Sequence, residues 1–300
     1  MKISAFYENI LDAVNYEHLD TKTYLEQLKQ DGMEKVYISY ETLKNDQEES
    51  IPKMLQELEL GVEGLYGFIF FDHVPLDESY KNMIDLAVKV NAGNVLFVPG
   101  FITKEDRANE KQIKENMWTG LKNAVKYGKE KGVAVSIEDF DGLTAPYCRI
   151  SGVAEFLENV PGLQLSFDTG NFVMYHEDEL EAFEMFKSKI CTVHLKDRCH
   201  EKDILCDENA LGGKDENGNN LVKEYPFVIC ADGEKIGAVP VGDGVMQIKG
   251  IMYRLKNQGY DGGLIAELYG YPSEIMAEGI RKSVRWIKET WTEISRRMDR

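Results

Sequence analysis

Apolar positions along the chain fall into two alternating rhythms. Short runs rich in β-branched and aromatic residues read as strands, and longer stretches with apolar residues at i, i+3 and i+4 read as helices. The strand pattern predicts segments at 2–6, 36–39, 67–71, 94–98, 133–137, 163–167, 190–195 and 264–266. Between them, 21–30 is helical with Tyr24, Leu25 and Leu28 on one face. Ser50 caps the next helix, with Pro52 in its first turn and Met54, Leu55 and Leu58 inward. Asp77 opens a helix that carries Ile84, Ala87 and Val88, and a long one over 106–131 ends at Gly132. Helices follow at 150–159, stopped by Pro161-Gly162, and at 177–188. Another spans 247–258 with Ile248, Ile251, Met252 and Leu255, and the last runs from about 273 into the region from Trp286 to Trp291.

Strands alternating with helices imply a parallel sheet. Eight such units imply closure into an α/β fold, a (β/α)8 TIM barrel, in one domain over 1–300. The rival is an open doubly wound sheet, but no Gly-rich loop follows the first strand, so the dinucleotide fingerprint is missing. The rhythm breaks at 199–239, between the seventh strand and its helix. This stretch exceeds the usual loop of about 4–6 residues. It holds Gly212-Gly213, Gly218-Asn219-Asn220 and Asp232-Gly233, and 225–230 can pair with 235–239 as a hairpin about the last of these. Loops after barrel strands lie on the catalytic face, so the insertion is expected to lid the site or to build a homo-oligomer contact.

Charge narrows the chemistry. The chain of 300 residues has 52 Asp and Glu against 35 Lys and Arg, a net charge of −17. That argues against a nucleic-acid partner and against docking on anionic membrane, while leaving small ligands open. Apolar stretches such as Gly67-Phe68-Ile69-Phe70-Phe71 are too short to span a bilayer, and the first residues read as a strand rather than a signal peptide. Five cysteines without a CxxC spacing point to free thiols and a cytoplasmic location.

The residues that can carry chemistry stand at the ends of strands five to eight: Glu138, Asp168, His194 and Glu267. Each alone has an ordinary reading. A carboxylate after a strand caps a helix, Asp168 before Thr169-Gly170-Asn171 shapes a turn, and His194 fills a core position. Together, at four successive strand ends, three carboxylates and an imidazole make a site for a divalent metal ion, Mn²⁺ first, with Mg²⁺, Co²⁺ and Zn²⁺ as alternatives. A dication removes the mutual repulsion of three close carboxylates. His73 after strand three, Lys196 and Asp197 are further candidates. The last two either contact substrate or pair with each other. Tyr269 and Tyr271 can wall a pocket. Gly242-Asp243-Gly244 reads as a turn before a helix rather than a phosphate cradle, since no basic cluster accompanies it, which favours a non-phosphorylated substrate.

The segments Val135-Ser136-Ile137-Glu138, Leu165-Ser166-Phe167-Asp168-Thr169-Gly170-Asn171 and Thr192-Val193-His194-Leu195-Lys196-Asp197 resemble the xylose-isomerase-like sugar isomerases and epimerases. Gly242-Asp243-Gly244, Gly259-Tyr260-Asp261-Gly262 and Ile265-Ala266-Glu267 continue the likeness. Ketose 3-epimerases, inosose dehydratases and hydroxypyruvate isomerases look most similar. The resemblance implies that Glu138, Asp168, His194 and Glu267 bind the metal, with Glu138 and Glu267 also the acid/base pair. It implies substrate contacts at Asn171, where many members have histidine, and at Arg198; Lys196 and His73 join them as candidates. The substrate expected is a keto sugar or related polyol, reacting through an enediolate. Return of the proton to the opposite face epimerises, return to the neighbouring carbon isomerises, and loss of a β-hydroxyl dehydrates, so a dehydratase or lyase is the alternative on the same site. A non-catalytic sugar-binding barrel is disfavoured by the intact ligand set. An abasic-site endonuclease is disfavoured by only five histidines and the acidic charge.

Overall fold

Backbone pairing turns the short apolar runs into β1 (Lys2–Phe6), β2 (Lys35–Ser39), β3 (Gly61–Phe68), β4 (Asn94–Val98), β5 (Ala134–Glu138), β6 (Gln164–Asp168) and β7 (Ile190–Leu195). Four more follow: β8 (Asp197–His200), β9 (Val228–Ile229), β10 (Lys235–Val239) and β11 (Gly263–Ala266). The computed structural model describes residues 2–214 and 217–298. Of the domain expected over 1–300, residues 1, 215, 216, 299 and 300 lie outside the described residues; 215 and 216 belong to the expected insertion. The barrel is closed in the order β1-β11-β7-β6-β5-β4-β3-β2, with parallel neighbours such as β3 on β4 and β5 on β6. This is the (β/α)8 fold expected from the alternation. The chain packs as two units, 1–35 with 194–300 and 36–193, whose boundaries fall inside β2 and β7.

In the 36–193 unit, Val95, Phe97, Val135, Ile137, Leu165 and Phe167 are buried, as are Met117, Leu121 and Ala124 of the helix Glu110–Lys131. Three expectations shift here. The third strand ends at Phe68 instead of starting at Gly67. The helix expected from Asp77 runs Tyr80–Lys89 and buries Tyr80, Met83, Ile84 and Ala87; Val88 sits at the edge of that stripe, 46% exposed. Helix Ser50–Glu57 begins after Glu49, and it is Asp46 that accepts from the Ser50 and Ile51 amides.

The other unit is closed by the helix Met276–Met298, whose Ile280, Val284, Ile287, Trp291 and Ile294 form one apolar stripe. Each such buried side chain contributes about 1.5–3 kcal/mol. The helix Tyr7–Glu17 was not foreseen: it starts directly after β1, with no side-chain cap at Phe6 to announce it. The insertion carries its own antiparallel sheet, in the order β8-β10-β9. The expected hairpin forms between β9 and β10. Ile204, Leu211, Val222, Tyr225 and Cys230 give this region a small apolar core. All five cysteines are free. Among the described residues no helix is long and apolar enough to cross a membrane.

Candidate functional site

Strand pleat sets the positions of the candidate residues. Side chains alternate across a strand, so residues two apart share a face. In the 36–193 unit, Ser136 and Ser166 each stand two residues before a carboxylate, Glu138 and Asp168, and their hydroxyls meet at 2.8 Å. Thr192 donates to Ser166 (2.7 Å), Asn94 donates to Ser136 (2.9 Å) and Tyr37 donates to Asn94 (2.9 Å). All but Tyr37 stand on the parallel strands β4 to β7, and Tyr37 is on β2. This buried chain of side-chain hydrogen bonds lies one layer beneath the strand ends and ties the strands there. It is absent from the sequence reading. The available signal was a small polar residue two places before each of Glu138, Asp168 and His194.

Glu138 and Asp168 are buried. Asn171 donates its amide to Glu138 Oε1 at 3.0 Å, so the residue expected at substrate also orients a carboxylate. Asp168 Oδ1 accepts from the Gly170 amide at 2.7 Å, the local turn its sequence suggested. Asp139, completely buried, accepts from the Asp168 backbone amide at 2.9 Å. Burial, and then the neighbouring Asp168 charge, push the Asp139 carboxyl well above the usual carboxylate range. His73 is elsewhere in its contacts: it meets Asp72 at 2.6 Å, and its side chain is 86% exposed. That hydrogen bond raises the imidazole above its ordinary value.

The 194–300 segment supplies the other two candidates. His194 and Glu267 are buried, with Nδ1 and Oε2 3.1 Å apart. Phe6 packs edge-on against the imidazole at 5.0 Å, fixing its plane. Lys196 Nζ lies 2.5 Å from Glu267 Oε1. Burial alone raises the Glu267 carboxyl, but the Lys196 charge and His194 outweigh it and hold it well below the usual range. Glu267 is therefore ionised at neutral pH.

Lys196 and Asp197 do not pair with each other. Adjacent residues of an extended chain point to opposite sides, and Asp197 instead accepts from the amides of Gly242 (2.9 Å), Gly244 (3.0 Å), Met246 (3.2 Å) and Arg198 (3.0 Å). The Gly242-Asp243-Gly244 turn thus cradles an anion of the protein itself. A Cβ at Gly244 would collide with the Asp197 carboxylate, which explains glycine there. Asp197→Ala leaves three loop amides unsatisfied and is expected to cost about 2–4 kcal/mol, read as a lower denaturant midpoint. Arg198 is fully buried in β8, opposite Ala238 of β10. Tyr271 is buried against Tyr225, while Tyr269 is 38% exposed beside Phe6.

The donor set of three buried carboxylates and one imidazole suits a divalent cation. A family model of the xylose isomerase-like TIM barrel matches residues 23–290. The chain belongs to that family. No curated protein matches it in sequence. Solved structures share the family's fold at low identity. IolI protein with a bound zinc atom is 16% identical over 98% of this chain and 99% of its own, with a TM-score of 0.68. The probable 3-DHS dehydratase AsbF of Bacillus anthracis is 13% identical over 96% and 99%, with a TM-score of 0.67. The 3-keto-D-glucoside 4-epimerase YcjR of E. coli is 15% identical over 96% and 99%, with a TM-score of 0.64.

Proposed function

We propose that this chain is a divalent-metal-dependent isomerase or epimerase of a keto sugar or related polyol. Glu138, Asp168, His194 and Glu267 are its metal ligands, and Glu138 and Glu267 its acid/base pair. One observation carries the reading: within each unit two buried residues offer ligand atoms within 4.8 Å of each other, Glu138 with Asp168 and His194 with Glu267. Membership of the family and the fold shared with a sugar epimerase and a zinc-bound protein support it. A bound dication supplies charge stabilisation to the oxyanion that forms when a carbon beside a carbonyl loses its proton. The chain's own groups do the rest. Lys196 keeps Glu267 ionised, as a base requires. Asn171 fixes Glu138 by one oxygen, and so sets the plane in which its carboxylate meets a substrate C–H. Asn171→Ala is expected to lower kcat/KM by about ten- to a hundredfold, since a hydrogen bond to a charged group is worth about 1.5–3 kcal/mol. Steady-state kinetics of the variant check this.

The test is a panel of keto sugars and polyols in D₂O with added Mn²⁺, read by NMR. The expected product is an isomer with deuterium on the carbon next to the carbonyl. Loss of water would instead assign the dehydratase chemistry. Turnover without deuterium would replace proton transfer by a hydride shift. No turnover of any member by the metal-loaded protein would count against the activity.

The insertion is proposed to act as a lid or subunit contact. Replacing 207–224 by a short Gly linker is expected to impair turnover or to lower the mass in solution by light scattering. Full activity at unchanged mass would refute both roles.

A further inference from the structure

Four phenylalanines gather on the loops that follow β3, β4 and β5. Phe68 is the last residue of β3, Phe70 follows it, Phe101 follows β4, and Phe140 stands two residues beyond Glu138. Their rings meet mostly edge to face: Phe68–Phe70 at 6.3 Å, Phe68–Phe140 at 6.1 Å, Phe70–Phe101 at 6.0 Å and Phe101–Phe140 at 5.6 Å. A further aromatic ring joins such a cluster by offset stacking or edge to face. Phe68 and Phe70 remain 51% and 47% exposed, although Ile69 and Phe71 between and after them are buried. The loops are fastened rather than loose. Phe71 N donates to Pro99 O (2.8 Å), Ile102 N to Thr144 O (2.8 Å) and Tyr147 Oη to Gly100 O (3.0 Å). These bonds join each loop to the next.

We infer that this quartet is a subsite for a flat apolar substituent of the substrate, an aryl aglycone carried by the sugar. The inference rests on the reading that Glu138 marks the reaction centre. Position selects the occupant. All four rings sit at the C-terminal ends of adjacent barrel strands, where barrel active sites lie, and one of them shares the strand end of Glu138. A group stacked here is continuous with a sugar at that carboxylate. Four side chains are too few to make a stable interface with a second copy, which needs about 20–30 residues a side.

The test uses the full chain loaded with Mn²⁺ and two probes, phenyl β-D-glucopyranoside and methyl β-D-glucopyranoside, with dissociation constants from NMR titration and Mn content from elemental analysis of the same samples. The phenyl glucoside is expected to bind at least tenfold more tightly. Phe70→Ala and Phe101→Ala are each expected to cut that ratio at least threefold. Equal binding of the two probes by metal-loaded protein overturns the subsite and leaves the metal reading intact. A preference for phenyl in protein that takes up no metal keeps the subsite and overturns the metal reading. A ratio unchanged in both variants, or a fall in mass in solution on Phe70→Ala, overturns the subsite, the latter by assigning the patch to a second copy.

Discussion

Glu138→Gln, and separately Glu267→Gln, is expected to lower kcat by about 10³- to 10⁵-fold, roughly 4–7 kcal/mol of barrel-bound transition-state stabilisation. Two losses coincide in each variant. The amide cannot accept the substrate proton, a function worth about 10²- to 10⁴-fold in general-base catalysis. It also weakens one of the proposed metal ligands, because a neutral amide oxygen is a poorer donor to a dication than a carboxylate. The two variants should differ in their side effects. At position 267 the substitution also removes the negative charge that faces Lys196 Nζ at 2.5 Å, which weakens the pairing of a buried ammonium. Glu267→Gln should therefore lose stability as well as activity, while Glu138→Gln keeps an amide that Asn171 can still bond. Single-turnover kinetics beside thermal unfolding curves separate the effects. Two variants with kcat within tenfold of the parent would remove both glutamates from the proposed chemistry.

His194→Ala is expected to weaken metal binding at least about a hundredfold, close to 2.7 kcal/mol. The imidazole is the one proposed ligand that is not a carboxylate, held edge-on by Phe6 and fully buried. Removing it takes away one of the four proposed ligands. The readout need not be turnover. A metal bound only by the folded state raises stability by about 2.7 kcal/mol at a hundredfold excess over its dissociation constant. In the parent, Mn²⁺ should raise Tm by several degrees; in His194→Ala that rise should vanish at the same concentration. An unchanged metal-dependent Tm would place the ion elsewhere.

Much of this arrangement was legible in the sequence, for a physical reason. Barrel strands have a two-residue period and end abruptly, so an acidic residue closing an apolar run, as in Glu138 and Asp168, stands out against its surroundings. The helix Ile248–Asn257 was equally clear, because all four of its periodic apolar residues are buried. What stayed hidden depends on contacts that no spacing encodes. Ser136, Ser166 and Thr192 look unremarkable in a pattern of hydrophobicity, yet they join in one hydrogen-bonded layer with Asn94. Lys196 beside Asp197 suggests substrate contacts or a pair, whereas the pleat sends the lysine to Glu267 and the aspartate to the Gly242-Asp243-Gly244 turn. The helix Tyr7–Glu17 was missed since the chain passes from strand to helix without a turn residue. Phe68 and Phe70 fall inside the strand expected at 67–71, and only the fold shows them turned outward.

The most direct measurement is metal stoichiometry. The parent chain and a Glu138→Ala/Asp168→Ala/His194→Ala variant are each stripped of metal, equilibrated with Mn²⁺, dialysed and assayed by elemental analysis, with circular dichroism confirming that both are folded. One Mn²⁺ per parent chain and none in the folded variant is the predicted result. Stoichiometric metal in the variant, or none in the parent, would contradict the proposed centre.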